Sequence, residues 1–170
     1  MIETRIITDV TKDWLTTVDV KEALRVSFDD DNYYIKDIIN AARKTIEKYC
    51  SISIGTQTLR TVMDCHAYEE YEIPYGPVQS ITSVKLKENN TYTTNTTDYT
   101  TDGLEYKTFT PYIQGRWEIN YTAGYSTIPT DLKGYWMRLV AYYYENRGET
   151  STIPHELRRD LINYRRLYVL

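Results

Sequence analysis

The residues able to do chemistry in this chain are few and scattered. Glu69-Glu70 and Glu72 form one carboxylate cluster, and Asp29-Asp30-Asp31 forms another. A glycosidase-type acid/base pair would need a further carboxylate facing the glutamates at roughly 5–9 Å, and no pattern supplies one. The glutamates therefore read as a solvated loop. Asp29-Asp30-Asp31 opens like a calcium loop but lacks its central Gly and closing Glu. Acidic residues just ahead of a helix serve better as N-caps. Cys65-His66 supplies too few ligands for a metal. The only histidines, His66 and His155, are far apart in sequence, and neither Cys50 nor Cys65 has a recognisable base. No glycine-rich phosphate loop is present. Catalytic residues, cofactors and metals are thus not expected. The sequons Asn89-Asn90-Thr91 and Asn95-Thr96-Thr97 carry meaning only in a secreted chain.

Charge and aromatic content say more. Arg158, Arg159, Arg165 and Arg166 fall within one short C-terminal stretch. Arginines so placed can bind phosphates or acidic side chains of a partner, although a solvated helix face has the same look. The chain has 18 tyrosines against 2 phenylalanines. A tyrosine has an apolar ring and a polar tip, so it suits a surface that is wet in one state and covered in another. Tyr142 and Tyr144, near the end of an aromatic helix, join the four arginines as candidate partner-binding residues. The net charge of -4 argues against a protein that grips nucleic acid by its phosphates. The charge is uneven. Residues 1–128 carry 13 Lys/Arg against 19 Asp/Glu, a balance of -6, whereas residues 129–170 carry 7 against 5, a balance of +2.

These residues need elements to position them. Residues 1–15 show no clear period and read as an extended arm that orders on docking. Thr16 with Asp19 has the form of a capping box, starting a helix with Val20, Ala23 and Leu24 on its stripe. A second helix follows the aspartates, with Ile35, Ile38, Ile39, Ala42, Ile46 and Tyr49 recurring at three and four. From Thr56 the period becomes two, predicting strands over 57–63, 71–73, 78–86, 99–101, 104–108 and 116–121. Residues 88–97 form a polar hairpin or loop. Gly124 marks a turn, and Pro129-Thr130-Asp131 starts a third helix with Leu132, Trp136, Leu139, Val140 and Tyr143 facing one way. Pro154 starts the last helix, with Leu157, Leu161, Tyr164 and Leu167 or Tyr168 on its stripe.

The fold class expected is α+β. Helices from both ends (16–55 and 129–168) form one bundle, and residues 56–122 form an inserted antiparallel β-sheet or small β-sandwich. A chain of 170 residues fits one domain with such an insertion and can bury its own core. The cysteines match no disulfide framework, the first residues have no apolar leader, and no apolar run approaches the ~18 residues of a membrane span. A soluble protein of a reducing compartment is expected.

Several segments, taken in order, resemble the head-tail connector proteins (adaptor, or head-completion proteins) of tailed bacteriophages. Val20-Lys21-Glu22-Ala23-Leu24-Arg25-Val26 and the helix through Ala41-Ala42-Arg43 to Glu47-Lys48-Tyr49 resemble the N-terminal part of that family, as does Gln57-Thr58-Leu59. Ile73-Pro74, then Pro77-Val78-Gln79-Ser80-Ile81-Thr82-Ser83-Val84, is similar to its Pro-Val strand segment. Tyr121-Thr122-Ala123-Gly124-Tyr125 resembles its turn, and Leu139–Arg147 its helix end. Ile153-Pro154-His155 and Tyr164-Arg165-Arg166 resemble its closing helix. The likeness spans roughly residues 16–168. Tyr142 stands where that family often has His, the 88–97 loop is unusually rich in Thr and Asn, and the tail after Arg166 is short for deep insertion into a portal.

The resemblance implies a structural virion protein without catalytic residues. Such proteins form a ring, usually of twelve copies, beneath the portal. The ring extends the DNA channel, helps retain the packaged genome, and offers a surface to the next tail component. The implied partners are the portal protein, neighbouring copies and a tail or stopper protein, with DNA passing through unread. The implied place is the head-tail interface of a virion assembled in the host cytoplasm. A stopper or other tail-completion ring is the alternative within the class. A stand-alone binding module gripping a glycan or protein is the alternative outside it, and a cell-wall hydrolase using Glu69, Glu70 or Glu72 is the third.

Overall fold

The computed structural model describes residues 2–10 and 12–166. The fold is α+β, and the chain divides into two compact units, one helical (12–54 and 127–166) and one β (2–10 and 55–126).

The helical unit begins with α1 (Thr17–Leu24). Its capping box is made as the sequence implies. The Asp19 amide donates to Thr16 Oγ1 at 3.2 Å, and the Thr16 amide donates to Asp19 Oδ2 at 2.8 Å. Helix α2 (Asn32–Cys50) buries Ile35, Ile38, Ile39, Ala42, Ile46 and Cys50. Tyr49, placed on that stripe by its spacing, is only half-buried, and Cys50 takes the inner position. Two charged residues of α2 also lie inside. Arg43 Nη1 donates to Glu47 Oε2 at 3.0 Å, and Glu47 Oε1 accepts the Ile54 amide at 2.9 Å, which ties the helix to its exit loop. Helix α3 (Thr130–Glu145) buries the expected Leu132, Trp136, Leu139, Val140 and Tyr143. It packs on α2, where Trp136 Nε1 donates to the Ile39 carbonyl at 3.0 Å.

The last helix is shorter than its spacing suggests. Helix α4 spans only His155–Asp160, and a 3-10 turn follows over Leu161–Tyr164. Leu157 and Leu161 are buried, as their stripe requires. Arg165 is extended, and the Arg166 amide donates to the Cys50 carbonyl at 2.8 Å. That bond satisfies one of the carbonyls left open at the end of α2 and draws the chain off the helical path. Leu167 and Tyr168, expected on the same stripe, lie outside the described residues.

The β unit is a small sandwich of two antiparallel sheets. The larger has the order β1-β2-β8-β4-β5, with β1 Ile2–Thr8, β2 Gln57–Cys65, β4 Val78–Glu88, β5 Thr91–Thr94 and β8 Gly115–Ala123. The smaller has the order β3-β7-β6, with β3 Tyr71–Glu72, β6 Tyr99–Asp102 and β7 Thr108–Pro111. Leu59, Met63, Ile73, Val84, Leu86, Phe109, Trp117, Ile119 and Tyr121 fill the core of this unit. Trp117 meets Phe109 edge-on at 5.3 Å between ring centres, a favoured aromatic geometry.

Two strand expectations change, and one open reading is resolved. The N-terminal residues read as an arm form β1, paired with β2 from Ile2↔Met63 to Thr8↔Thr58. As an edge strand with its outer face wet, β1 needs no strict alternation, so Ile6 and Ile7 are both about half exposed. The strand predicted at 104–108 lies later, at Thr108–Pro111. Gly103 turns at φ +92°, and Leu104 is 92% exposed. The polar 88–97 segment is a true hairpin, closed by Asn89-Asn90 with both φ positive, so β5 pairs with β4.

Candidate functional site

The six candidate residues fall in the helical unit as two groups. Arg158 and Arg159 lie on α4, with Arg165 and Arg166 just beyond the 3-10 turn. The side chain of Tyr49, from the end of α2, links this group. Its hydroxyl donates to the Arg158 carbonyl at 3.4 Å, and the Arg165 guanidinium lies 5.2 Å from its ring centre. Arg158 Nε donates to the Ile153 carbonyl at 2.8 Å, so Arg158 partly serves the fold. Arg159 is exposed with no side-chain partner among the described residues. The arginines also sit by the C-terminus of α2, where the helix dipole favours positive charge.

Tyr142 and Tyr144 occupy the end of α3, and both are engaged within the chain. The Tyr142 hydroxyl donates to Glu149 Oε2 at 2.9 Å. The Tyr144 hydroxyl donates to Asp31 Oδ2 at 2.7 Å, and Arg147 Nη2 reaches the same oxygen. The Arg147 guanidinium lies 4.9 Å from the Tyr34 ring centre and 5.4 Å from that of Tyr144. The Tyr144 bond, backed by Arg147, holds the Asp31 carboxyl below the ordinary range. The same kind of bond, to Glu149 and Asp31 respectively, pushes the Tyr142 and Tyr144 phenols up. Asp31 is the N-cap of α2, but its side chain caps nothing. It serves this cluster instead. Asp29 accepts from Lys21 Nζ at 2.6 Å and from Asn32 Nδ2 at 3.1 Å. Spacing alone did not reveal the Asp31–Tyr34–Tyr144–Arg147 cluster, because its partners are more than a hundred residues apart.

The residues weighed for chemistry stay apart or silent. Burial pushes both cysteine thiols up to about 12, so neither is a thiolate at neutral pH. Glu69 accepts the Tyr71 hydroxyl at 2.8 Å, and His66 and Glu70 are exposed. Among the described residues, no group of three His, Cys, Asp or Glu is placed to hold a metal ion. Among the described residues, no helix is long and apolar enough to cross a membrane.

The sequence pattern did not single out two surface features of the β unit. One lies on the polar face of the larger sheet, where Glu118 is buried between Lys85 Nζ at 3.2 Å and Arg60 Nη1 at 3.9 Å. Burial pushes its carboxyl up, but Asn120, Lys85 and Arg60 more than offset this and hold it below the ordinary range. The other is a pair of exposed tyrosines, Tyr68 and Tyr112, stacked at 5.9 Å between ring centres.

The chain is thus α+β, with a helical unit interrupted by a β sandwich. The chain belongs to the head completion protein family, whose model matches residues 13–167. It is a structural, non-enzymatic protein. Its fold is similar to that of chains in three structures of gene transfer agent (GTA) particles. In the neck of an empty particle computed with C6 symmetry, the TM-score is 0.77 at 20% identity, over 99% of this chain and 97% of that one. In the virion of a native particle it is 0.79 at 20% identity, over 98% and 97%. In the neck of a native particle computed with C12 symmetry it is 0.76 at 19% identity, over 99% and 97%. No curated protein matches the chain by sequence.

Proposed function

We propose that this chain is a ring-forming head-tail connector of a tailed phage or phage-like particle. Twelve copies dock beneath the portal, extend the DNA channel and present a surface to the next tail or stopper protein. The observation that carries this is the family match over residues 13–167, joined to end-to-end likeness in fold with a chain of a particle neck computed with C12 symmetry. The whole chain acts as one connector domain, sits at the head-tail interface of the virion, and is assembled in the host cytoplasm. A closed ring of identical subunits uses head-to-tail contacts, so each subunit needs two different complementary patches. A mildly acidic subunit repels DNA, which lets the genome slide past without sequence-specific binding.

In this reading the basic segment faces an acidic partner surface. Arg158, Arg159, Arg165 and Arg166 carry the charge, with Tyr142 and Tyr144 as rim contacts. Charge reversal at Arg159 and Arg165 is the cleaner variant, because Arg158 also caps the Ile153 carbonyl. We expect R159E/R165E to weaken co-sedimentation with the cognate portal by roughly tenfold or more, with a loss that depends on salt. Unchanged binding would remove the basic segment from the interface. Specific binding of a glycan by an isolated monomer, with no association with the portal, would favour the stand-alone module.

A further inference from the structure

The β unit carries an exposed patch that does little for its own fold. Tyr68 lies in the loop between β2 and β3, and Tyr112 and Ile113 lie in the turn between β7 and β8. Their exposures are 76%, 38% and 44%. Tyr68 sits at φ +63°, a left-handed conformation that costs a bulky side chain energy. It is held there by its amide, which donates to the Pro111 carbonyl at 2.7 Å, and the neighbouring turn is pinned by the Tyr112 amide on the Asp98 carbonyl at 2.7 Å. Two loops are thus tied together so that two stacked rings face water. An exposed aromatic held in a strained backbone gains little from its own core and is typical of a contact surface.

The charge around the rings narrows the partner. Glu69 and Glu70 follow Tyr68 directly and are exposed. The end of β2, the start of β8 and the adjoining loop residues line an open recess of about 270 Å³, with Asp64, His66, Gln114 and Arg116 among its walls. Arg116 is already turned toward Asp64, at 3.4 Å. A stacked tyrosine pair beside paired glutamates suits a guanidinium, which can lie on a ring and bond a carboxylate together. The helical unit offers such groups. Arg159 and Arg165 are exposed, and Arg165 already lies over a tyrosine ring, that of Tyr49.

We propose that the Tyr68–Tyr112 tip, with Glu69 and Glu70, receives the Arg158–Arg166 segment of a second copy of this chain. This inference rests on the ring reading above and supplies the two unlike patches which that reading requires. An acidic aromatic patch on one copy meets a basic patch on the next, and the pairing repeats around the ring.

The pairing permits a test by exchange of charge. One variant carries E69R/E70R, so both of its patches are basic. The other carries R159E/R165E, so both of its patches are acidic. Assembly is read as rings formed by the full chain on the cognate portal, by electron microscopy, and each variant's unfolding midpoint is compared with the wild type. We expect each variant alone to stay folded and to lose ring yield by roughly tenfold or more. An equal mixture of the two should regain rings in which the variants alternate, because every contact then joins unlike charges. Y68A/Y112A should lose rings with its fold intact. Wild-type-like rings from E69R/E70R alone, whose basic segment stays intact for the portal, would overturn the pairing while leaving the ring reading standing. Failure of the wild type itself to form rings on the portal would overturn both.

Discussion

Replacing Glu47 with alanine should destabilise the helical unit by about 3–5 kcal/mol, as expected when one member of a buried ion pair is removed. Both side chains of the Arg43–Glu47 pair are about 6% exposed. The substitution takes the carboxylate away from a buried guanidinium, which cannot neutralise by losing its proton at ordinary pH. It also takes the acceptor from the Ile54 amide, a buried donor in the exit loop of α2. Two penalties therefore fall on one residue. The glutamine variant should cost less, because it keeps an acceptor for the Ile54 amide. Hydrogen exchange followed segment by segment is the suitable measurement. We expect α2 and α3 amides to lose protection in E47A while β8 amides keep theirs. A wild-type pattern in α2 would show that the pair contributes little.

The second large effect is expected at Gly124. Its φ is +120°, a region that L side chains rarely adopt, and a Cβ there would stand 2.1 Å from the Gly55 carbonyl oxygen and 2.4 Å from its carbon. Both neighbours are backbone and cannot swing aside. Gly124 is also a hub of hydrogen bonds. Its amide donates to the Pro77 carbonyl at 2.8 Å, and its carbonyl accepts from Gln79 Nε2 at 2.8 Å. G124A should therefore cost the β unit about 2–5 kcal/mol, combining the left-handed penalty with the cost of overpacking. Urea unfolding read by circular dichroism, with hydrogen exchange at β2, β4 and β8, should show the loss. G148A is the control. Gly148 also has positive φ, but a Cβ there meets nothing within 4 Å, so only the smaller backbone penalty applies. Equal costs for the two variants would mean that the close approach to Gly55 is unimportant.

The elements legible in the sequence are those whose signals are local. The Thr16–Asp19 capping box, the isoleucine stripe of α2 and the inward set of α3 each lie within one element, and period and capping chemistry identify them. The features that were not legible depend on partners far away in the chain. Strand β1 exists because β2 offers it an edge more than fifty residues later, and its own residues lack alternation. The end of α4 is decided by the Cys50 carbonyl, which captures the Arg166 amide. The role of Asp31 is decided by Tyr144 and Arg147, which divert it from the cap its position suggested.

The candidate site shows the same division. The density of arginines at 158–166 is visible in the sequence, but the way Tyr49 gathers Arg158 and Arg165 is not. Tyr142 and Tyr144 were chosen for their place on an aromatic helix, and both hydroxyls are occupied by carboxylates of the same chain. Their rings can still form a rim, but their polar tips are not free for a partner. Tyr68 and Tyr112 are 44 positions apart in sequence, and only the pairing of the β2–β3 loop with the β7–β8 turn stacks them.

The central claim is that this chain closes into a ring on a portal. The most direct test is electron microscopy of the full chain mixed with its cognate portal protein at near-physiological salt. We expect one closed layer of twelve copies beneath the portal, with a central opening wide enough for duplex DNA. A monomer in the absence of portal would be consistent with this, since the portal can template the ring. A portal that remains bare in the presence of excess folded chain would contradict it.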